Sequence, residues 1–164
     1  YGLKGAMISA VDLLKGIGRY AGLEVIDVAG ATGNIDTNYE GKVQATLEAL
    51  KSCDFVYLHI EAPDEAGHEG NIELKVRAIE LFDEKVVGPV VEGLEKSGED
   101  WRVLVLPDHA TPISIKTHSR DPVPFAIMGT GILPDGVERF DEQAAQQGGY
   151  RLVEATKLVG MMRG

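Results

Sequence analysis

The sequence predicts an α/β layer fold, α/β/α in section, with a largely parallel sheet. Two observations predict it. Short, wholly apolar runs of strand length alternate with longer segments whose apolar residues recur at three- and four-residue steps. The chain has 164 residues, no internal repeat and no low-complexity linker, so residues 1–164 read as one domain.

Residues 5–8 form a first apolar run, a candidate strand. Ser9 to Asp12 resembles a capping box, and the helix behind it places Leu13, Ile17 and Tyr20 on one face before Gly22 stops it. Gly16 and Gly18 weaken that helix by roughly 1 kcal/mol each, so tertiary packing must hold it. Residues 23–29 read as a strand and Gly30 to Gly33 as a loop. Thr37 and Glu40 suggest a second capping box, opening a helix with Val43, Leu47 and Leu50 on one face. Residues 55–60 are the clearest buried strand. Residues 72–94 read as one long helix. Ile72, Val76, Ile79, Val86, Val90 and Leu94 form its apolar stripe, with one turn missing from the pattern. Glu73 with Arg77 and Glu92 with Lys96 are favourable i,i+4 pairs, and Pro89 should kink the helix. Residues 101–106 and 123–128 are further strands. A short helix capped by Asp141 and a final helix over residues 154–162 complete the order.

Bulk composition narrows the function classes. Hydrophobic residues make up 44% and charged residues 26%, an ordinary globular balance. The net charge of −10, with no basic patch, argues against a nucleic-acid partner. No apolar run approaches the roughly 20 residues that cross a bilayer, so no membrane role is expected. The single Cys53 excludes an internal disulfide framework and suits a reducing cytoplasm. It reads as a small core residue rather than a nucleophile. The start at Tyr1, close to an apolar run, suggests a segment of a longer protein.

The chemistry concentrates in three of the four histidines, each in a polar loop at a strand end, near an aspartate. Asp64 to His68 follows the strand at 55–60, Asp108-His109 follows the strand at 101–106, and His118 precedes the strand at 123–128. In open α/β sheets functional groups collect beyond the carboxyl ends of the strands. Carboxylate oxygen and imidazole nitrogen suit Zn²⁺ or Mn²⁺. Five such groups suit two ions that share a phosphate between them. An isolated Asp-His pair is ordinarily a solvated turn; three such groups at one sheet edge carry the reading. His59, inside its strand, reads as a satisfied core histidine. Gly30 to Gly33 lacks the Gly-Lys-Ser/Thr ending of a P-loop.

Glu61-Ala62-Pro63-Asp64-Glu65-Ala66-Gly67-His68, Leu106-Pro107-Asp108-His109 and Thr117-His118-Ser119-Arg120-Asp121-Pro122-Val123-Pro124 resemble the archaeal-type cofactor-independent phosphoglycerate mutases of the alkaline phosphatase superfamily. The stretches at residues 4–18, 30–33 and 36–39 resemble the same family. The resemblance implies an alkaline phosphatase-like core, present in part. It implies an isomerase of glycolysis and gluconeogenesis that interconverts 2-phosphoglycerate and 3-phosphoglycerate through a phosphoserine. By motif position, Asp64, His68 and His118 would hold one divalent ion and Asp108 and His109 the second, with Mn²⁺ the first candidate and Zn²⁺ or Mg²⁺ the alternatives. Lys4 would correspond to a lysine near the transferred phosphate. The resemblance also implies that the nucleophilic serine and the inserted phosphotransferase domain lie outside this sequence. The expectations that follow are an inactive isolated chain and self-association through surfaces left bare. A phosphate or phosphonate ester hydrolase of the same superfamily, or a non-catalytic binding module, are the alternative readings.

Overall fold

A computed structural model describes residues 1–163. Strand β1 (Gly5–Ile8) lies at the centre of a three-stranded parallel sheet. β2 (Glu24–Val25) pairs on one side and β3 (Phe55–Leu58) on the other. β1 is buried on both faces, which is why it reads as a continuous apolar run rather than an alternating one. Helix α1 (Asp12–Tyr20) connects β1 to β2 and lies directly on the sheet. Gly18 makes that approach feasible: a Cβ there would sit 2.7 Å from Met7 Sδ. The helix weakness expected from Gly18 is thus exchanged for close packing on β1. Gly16 has open space around it, and nothing in the structure explains it.

Helix α2 (Tyr39–Ala49) begins one residue later than a Thr37 cap would place it. Asn38 is the cap, accepting the Gly41 N–H at 2.9 Å, while the Thr37 hydroxyl accepts the Thr32 N–H and ties down the glycine loop. Two helices follow β3, where the sequence predicts one. The first, α3 (Ala62–Glu69), ends at Gly70 in the left-handed conformation. The second, α4 (Ile72–Phe82), runs through a π-helical turn at Asp83–Val87 into α5 (Gly88–Ser97). The Gly88 N–H reaches back to the Asp83 carbonyl, five residues away. That extra residue is the slip in the apolar pattern. It sits immediately before Pro89, whose missing N–H and bulky ring disfavour an ordinary α-helical turn there. The Glu92–Lys96 pair forms at 2.6 Å. Arg77 turns instead to Glu80, at 3.1 Å, rather than to Glu73.

β4 (Arg102–Val105) pairs with β5 (Ala126–Gly129) as an antiparallel ladder of its own. The connection between them therefore leaves from and returns to the carboxyl end of β4, the edge where β3 also ends. α6 (Glu142–Ala145) is capped by Asp141, as its sequence predicts, and α7 (Leu158–Arg163) closes the described chain behind a 3₁₀ turn. Tyr39, Val43, Val86 and Val90 form one core cluster, joining α2 to the π turn and α5. Ala6, Ala49 and Cys53 form another, so Cys53 is the core residue expected of it. No helix among the described residues is long and apolar enough to cross a membrane.

Two apolar faces lie outside these clusters. On α1, Leu13 is 71% and Tyr20 98% exposed, with Ile17 beside them; on α4, Ile72, Val76 and Ile79 are all more than half exposed. Each set follows helical i, i+4, i+7 spacing, so each is a stripe rather than scattered residues. The stripe that the sequence assigns to the core is in fact buried only from Val86 onward. Self-association of the chain in solution is the expected outcome, checked by sedimentation velocity across concentration. Leu13→Glu combined with Ile17→Lys should reduce it. A strictly monomeric wild type would contradict the expectation.

Candidate metal centre

Asp64 and His68 stand on helix α3 rather than in the loop that the sequence suggests. The start and stop signals are present in the sequence: Pro63 in the first turn, acidic Asp64 and Glu65 beside it, and Gly70 at the end. The helix makes the i,i+4 spacing useful, because it places both side chains on one face. His68 Nε2 lies 3.2 Å from Asp64 Oδ2. His118, from the β4–β5 connection, brings its Nε2 to 3.1 Å from His68 Nε2 and 3.4 Å from Asp64 Oδ1. An antiparallel bridge between Ala110 and Ser119 folds that connection back over its own start. One donor atom from each of Asp64, His68 and His118 falls within a 4.8 Å span.

Asp108 and His109 lie beside this cluster. His109 Nδ1 is 3.9 Å from Asp64 Oδ1, and its Nε2 is 3.3 Å from Asp108 Oδ2. The His109 and His118 rings stack with centroids 3.7 Å apart. All five residues are therefore gathered at the carboxyl edge of the strands.

Lys4 is not among them. It precedes β1, at the opposite edge of the sheet from Ser9 and the cluster. Four strand residues at about 3.3 Å each place it roughly 13 Å away, beyond the reach of a lysine side chain. It is exposed, and its backbone N–H donates to Asp54 Oδ2 at 2.8 Å, an arrangement that secures the start of the β1–β3 pair.

The hydrogen bonds around the cluster decide its chemistry. His68 Nδ1 lies 3.1 Å from the Lys116 carbonyl oxygen. A carbonyl only accepts, so Nδ1 carries the proton and the Nε2 of the neutral ring keeps a lone pair. That lone pair points at a carboxylate oxygen and at a second imidazole nitrogen. Three electron-pair donors converge, and a shared cation satisfies all three. Two imidazoles and one carboxylate, partly exposed, match a three-ligand site with an open position for Zn²⁺ or Mn²⁺. Lys116 adopts φ of +51°, the one non-glycine residue with positive φ among those described. Such a conformation costs on the order of 1–3 kcal/mol, and here it turns a carbonyl toward His68.

Gly67, in the middle of the motif, has a steric reason to be glycine. A Cβ there would lie 2.7 Å from the Thr111 carbonyl oxygen and 3.0 Å from its γ-methyl. α3 can therefore press against the segment that carries His109 and His118. Gly67→Ala should push that segment away and weaken divalent-metal binding by about 10-fold or more, as loss of supporting contacts does at metal sites. Isothermal titration of wild type and variant with Mn²⁺ checks this.

Three further residues complete the surroundings. His59 Nδ1 lies 3.3 Å from the Ser9 hydroxyl, and burial pushes the His59 pKa below its ordinary value, against the opposing pull of Asp108. It is the satisfied histidine that the sequence suggests. Ser9 is a partner of His59 and accepts the Val11 N–H; it is not the helix cap, since Val11 occupies that position. Burial raises the Glu61 pKa, helped by the like charges of Glu65 and Asp64. Gly33 packs against that carboxylate, where a Cβ would collide with Glu61 Oε2. Lys42 is fully buried and donates to the His59 carbonyl at 3.4 Å; burial lowers its pKa. No motif marks Lys42, although its place one turn from Tyr39 and Thr46 puts a cation on the inward face of α2.

Residues 1–163 match the family described as the Metalloenzyme superfamily, and the chain belongs to that superfamily. Among curated relatives it is 67% identical over 162 residues to a 2,3-bisphosphoglycerate-independent phosphoglycerate mutase of Methanothrix thermoacetophila, covering 99% of this chain and 41% of the relative. It is 61% identical over 163 residues to the protein of that name in Methanosarcina acetivorans, with the same coverage. The chain thus spans about 41% of the length of these relatives. Among solved structures, a Pyrococcus horikoshii protein superposes with a TM-score of 0.90 at 36% identity, covering 98% of this chain and 48% of that one. A cofactor-independent phosphoglycerate mutase from Thermoplasma acidophilum superposes with a TM-score of 0.69 at 25% identity, covering 98% and 36%. The α/β fold with its parallel sheet agrees with these neighbours.

Proposed function

We propose that this chain carries the metal-ligand cluster of a cofactor-independent phosphoglycerate mutase, an isomerase interconverting 2-phosphoglycerate and 3-phosphoglycerate. The convergence of Asp64, His68 and His118 supports this most, on a chain whose curated relatives bear that name. In this reading Asp64, His68 and His118 hold one divalent ion. Asp108 and His109 contribute to a second, and Mn²⁺ is the first candidate. Bound ions would supply positive charge where a transferring phosphoryl group develops negative charge. The chain's own residues set the geometry: the Lys116 carbonyl holds His68 with Nε2 free, and Gly67 lets α3 approach the His109 segment. The nucleophilic serine and the groups that hold glycerate belong, in the same proposal, to further parts of a longer cytoplasmic protein.

A chimera tests the reading. This chain replaces the matching segment of the Methanothrix relative, and turnover of 3-phosphoglycerate with Mn²⁺ is compared with hydrolysis of p-nitrophenyl phosphate. Isomerisation well above ester hydrolysis is expected. Hydrolysis without isomerisation would favour a phosphoesterase, and a folded chimera inactive on both would favour a binding module.

A further inference from the structure

We propose that Thr111 is a positioning residue that couples the two halves of the candidate centre, joining Asp64 to His109 and fixing which nitrogen of His109 is free. The coupling rests on the metal reading above; the hydrogen-bond geometry does not. Thr111 is only 5% exposed, and its hydroxyl and its carbonyl oxygen both have hydrogen-bond partners. Its hydroxyl donates to Asp64 Oδ1, since an ionised carboxylate can only accept. With its proton committed there, the oxygen has a lone pair left for His109 Nδ1, 3.3 Å away. The hydroxyl therefore draws the His109 proton to Nδ1, in competition with the Asp108 carboxylate, which lies 3.3 Å from Nε2 and would accept it there. The Thr111 carbonyl meanwhile accepts Lys75 Nζ at 2.6 Å and lies against Gly67, so α3 and α4 both hold the residue in place.

The consequence is specific. One hydroxyl orients a donor atom on each side, Asp64 in the first set and His109 in the second. His68 is held in the same tautomer by a different acceptor, the Lys116 carbonyl, so loss of Thr111 should leave His68 unaffected. Serine at position 111 keeps the hydroxyl, and valine keeps the shape without it. Partners of this kind typically contribute 10- to 100-fold to metal affinity.

The test uses the full chain without metal, at about pH 9, where imidazoles are neutral. Nitrogen-15 NMR of the histidine rings reads the tautomers of wild type, Thr111→Ser and Thr111→Val. His109 should be protonated on Nδ1 in wild type and Thr111→Ser, and should move toward the Nε2–H form in Thr111→Val, while His68 stays unchanged in all three. Titration with Co²⁺, followed by visible absorption, should then show affinity lowered about 10- to 100-fold in Thr111→Val and retained in Thr111→Ser. An unchanged His109 tautomer in Thr111→Val would overturn the proposal, as would a Thr111→Ser variant as impaired as Thr111→Val. A wild type that binds no Co²⁺ would overturn the metal reading and the coupling with it, whatever the tautomers show.

Discussion

Replacing Asp64 by alanine should abolish measurable divalent-metal binding by this chain. The two Asp64 oxygens face His68 at 3.2 Å and His118 at 3.4 Å, and Oδ1 also accepts from Thr111. Removing it takes away the one anionic ligand between two neutral imidazoles, together with the anchor of the Thr111 hydroxyl. The effect should exceed the roughly 10- to 100-fold typical of losing only a supporting partner. It should also appear in stability. An ion that binds only the folded chain stabilises it by about 2.7 kcal/mol when present at 100 times its dissociation constant. For a chain of this length that corresponds to roughly 5–10 °C in Tm. Wild type should show that rise on adding Mn²⁺, and Asp64→Ala should show none. An Asp64→Ala variant that keeps the rise would place the ion elsewhere.

The isolated chain should not interconvert 2- and 3-phosphoglycerate, even with Mn²⁺ added. The proposed reaction needs an activated nucleophile. Ser9 is at the correct sheet edge, but it is 3% exposed and its oxygen is engaged by His59 and the Val11 N–H. The Ser119 hydroxyl donates to Asp121, and those of Ser52 and Ser97 donate to helix carbonyls. Loss of the nucleophile from a catalytic set lowers kcat on the order of 10⁶-fold. Loss of substrate positioning adds to that. A coupled enolase assay on the purified chain checks the expectation, with His68→Ala as control. Turnover that disappears in the control would mean that a serine of this chain is competent.

Much of this arrangement was legible in the residues. β1, β3 and β4 are short apolar runs with little alternative to burial, and each lies within two residues of its expected span. The five candidate ligands fall together because each follows or returns to the carboxyl end of a strand. Other features depended on contacts that spacing does not reveal. β4 and β5 pair antiparallel, which an apolar run cannot announce. The Ile72, Val76 and Ile79 stripe has helical period, yet α4 turns Ala78 inward instead, because a small residue allows closer packing. Lys4 rests on motif position alone, and its place before β1 puts it at the opposite edge from the cluster. The helix carrying Asp64 and His68 is signalled by Pro63 and Gly70, although the polar run between them suggests a loop. Thr111 carried no motif; its role follows only from three elements meeting at one hydroxyl and one carbonyl.

X-ray absorption at the manganese edge, on the chain loaded with one equivalent of Mn²⁺, addresses the centre most directly. Two imidazole nitrogens and a carboxylate oxygen are expected in the first coordination shell. The outer-shell scattering of two histidine rings should fall to one in His68→Ala. An oxygen-only shell, unchanged in that variant, would contradict the assignment of Asp64, His68 and His118 as the metal centre.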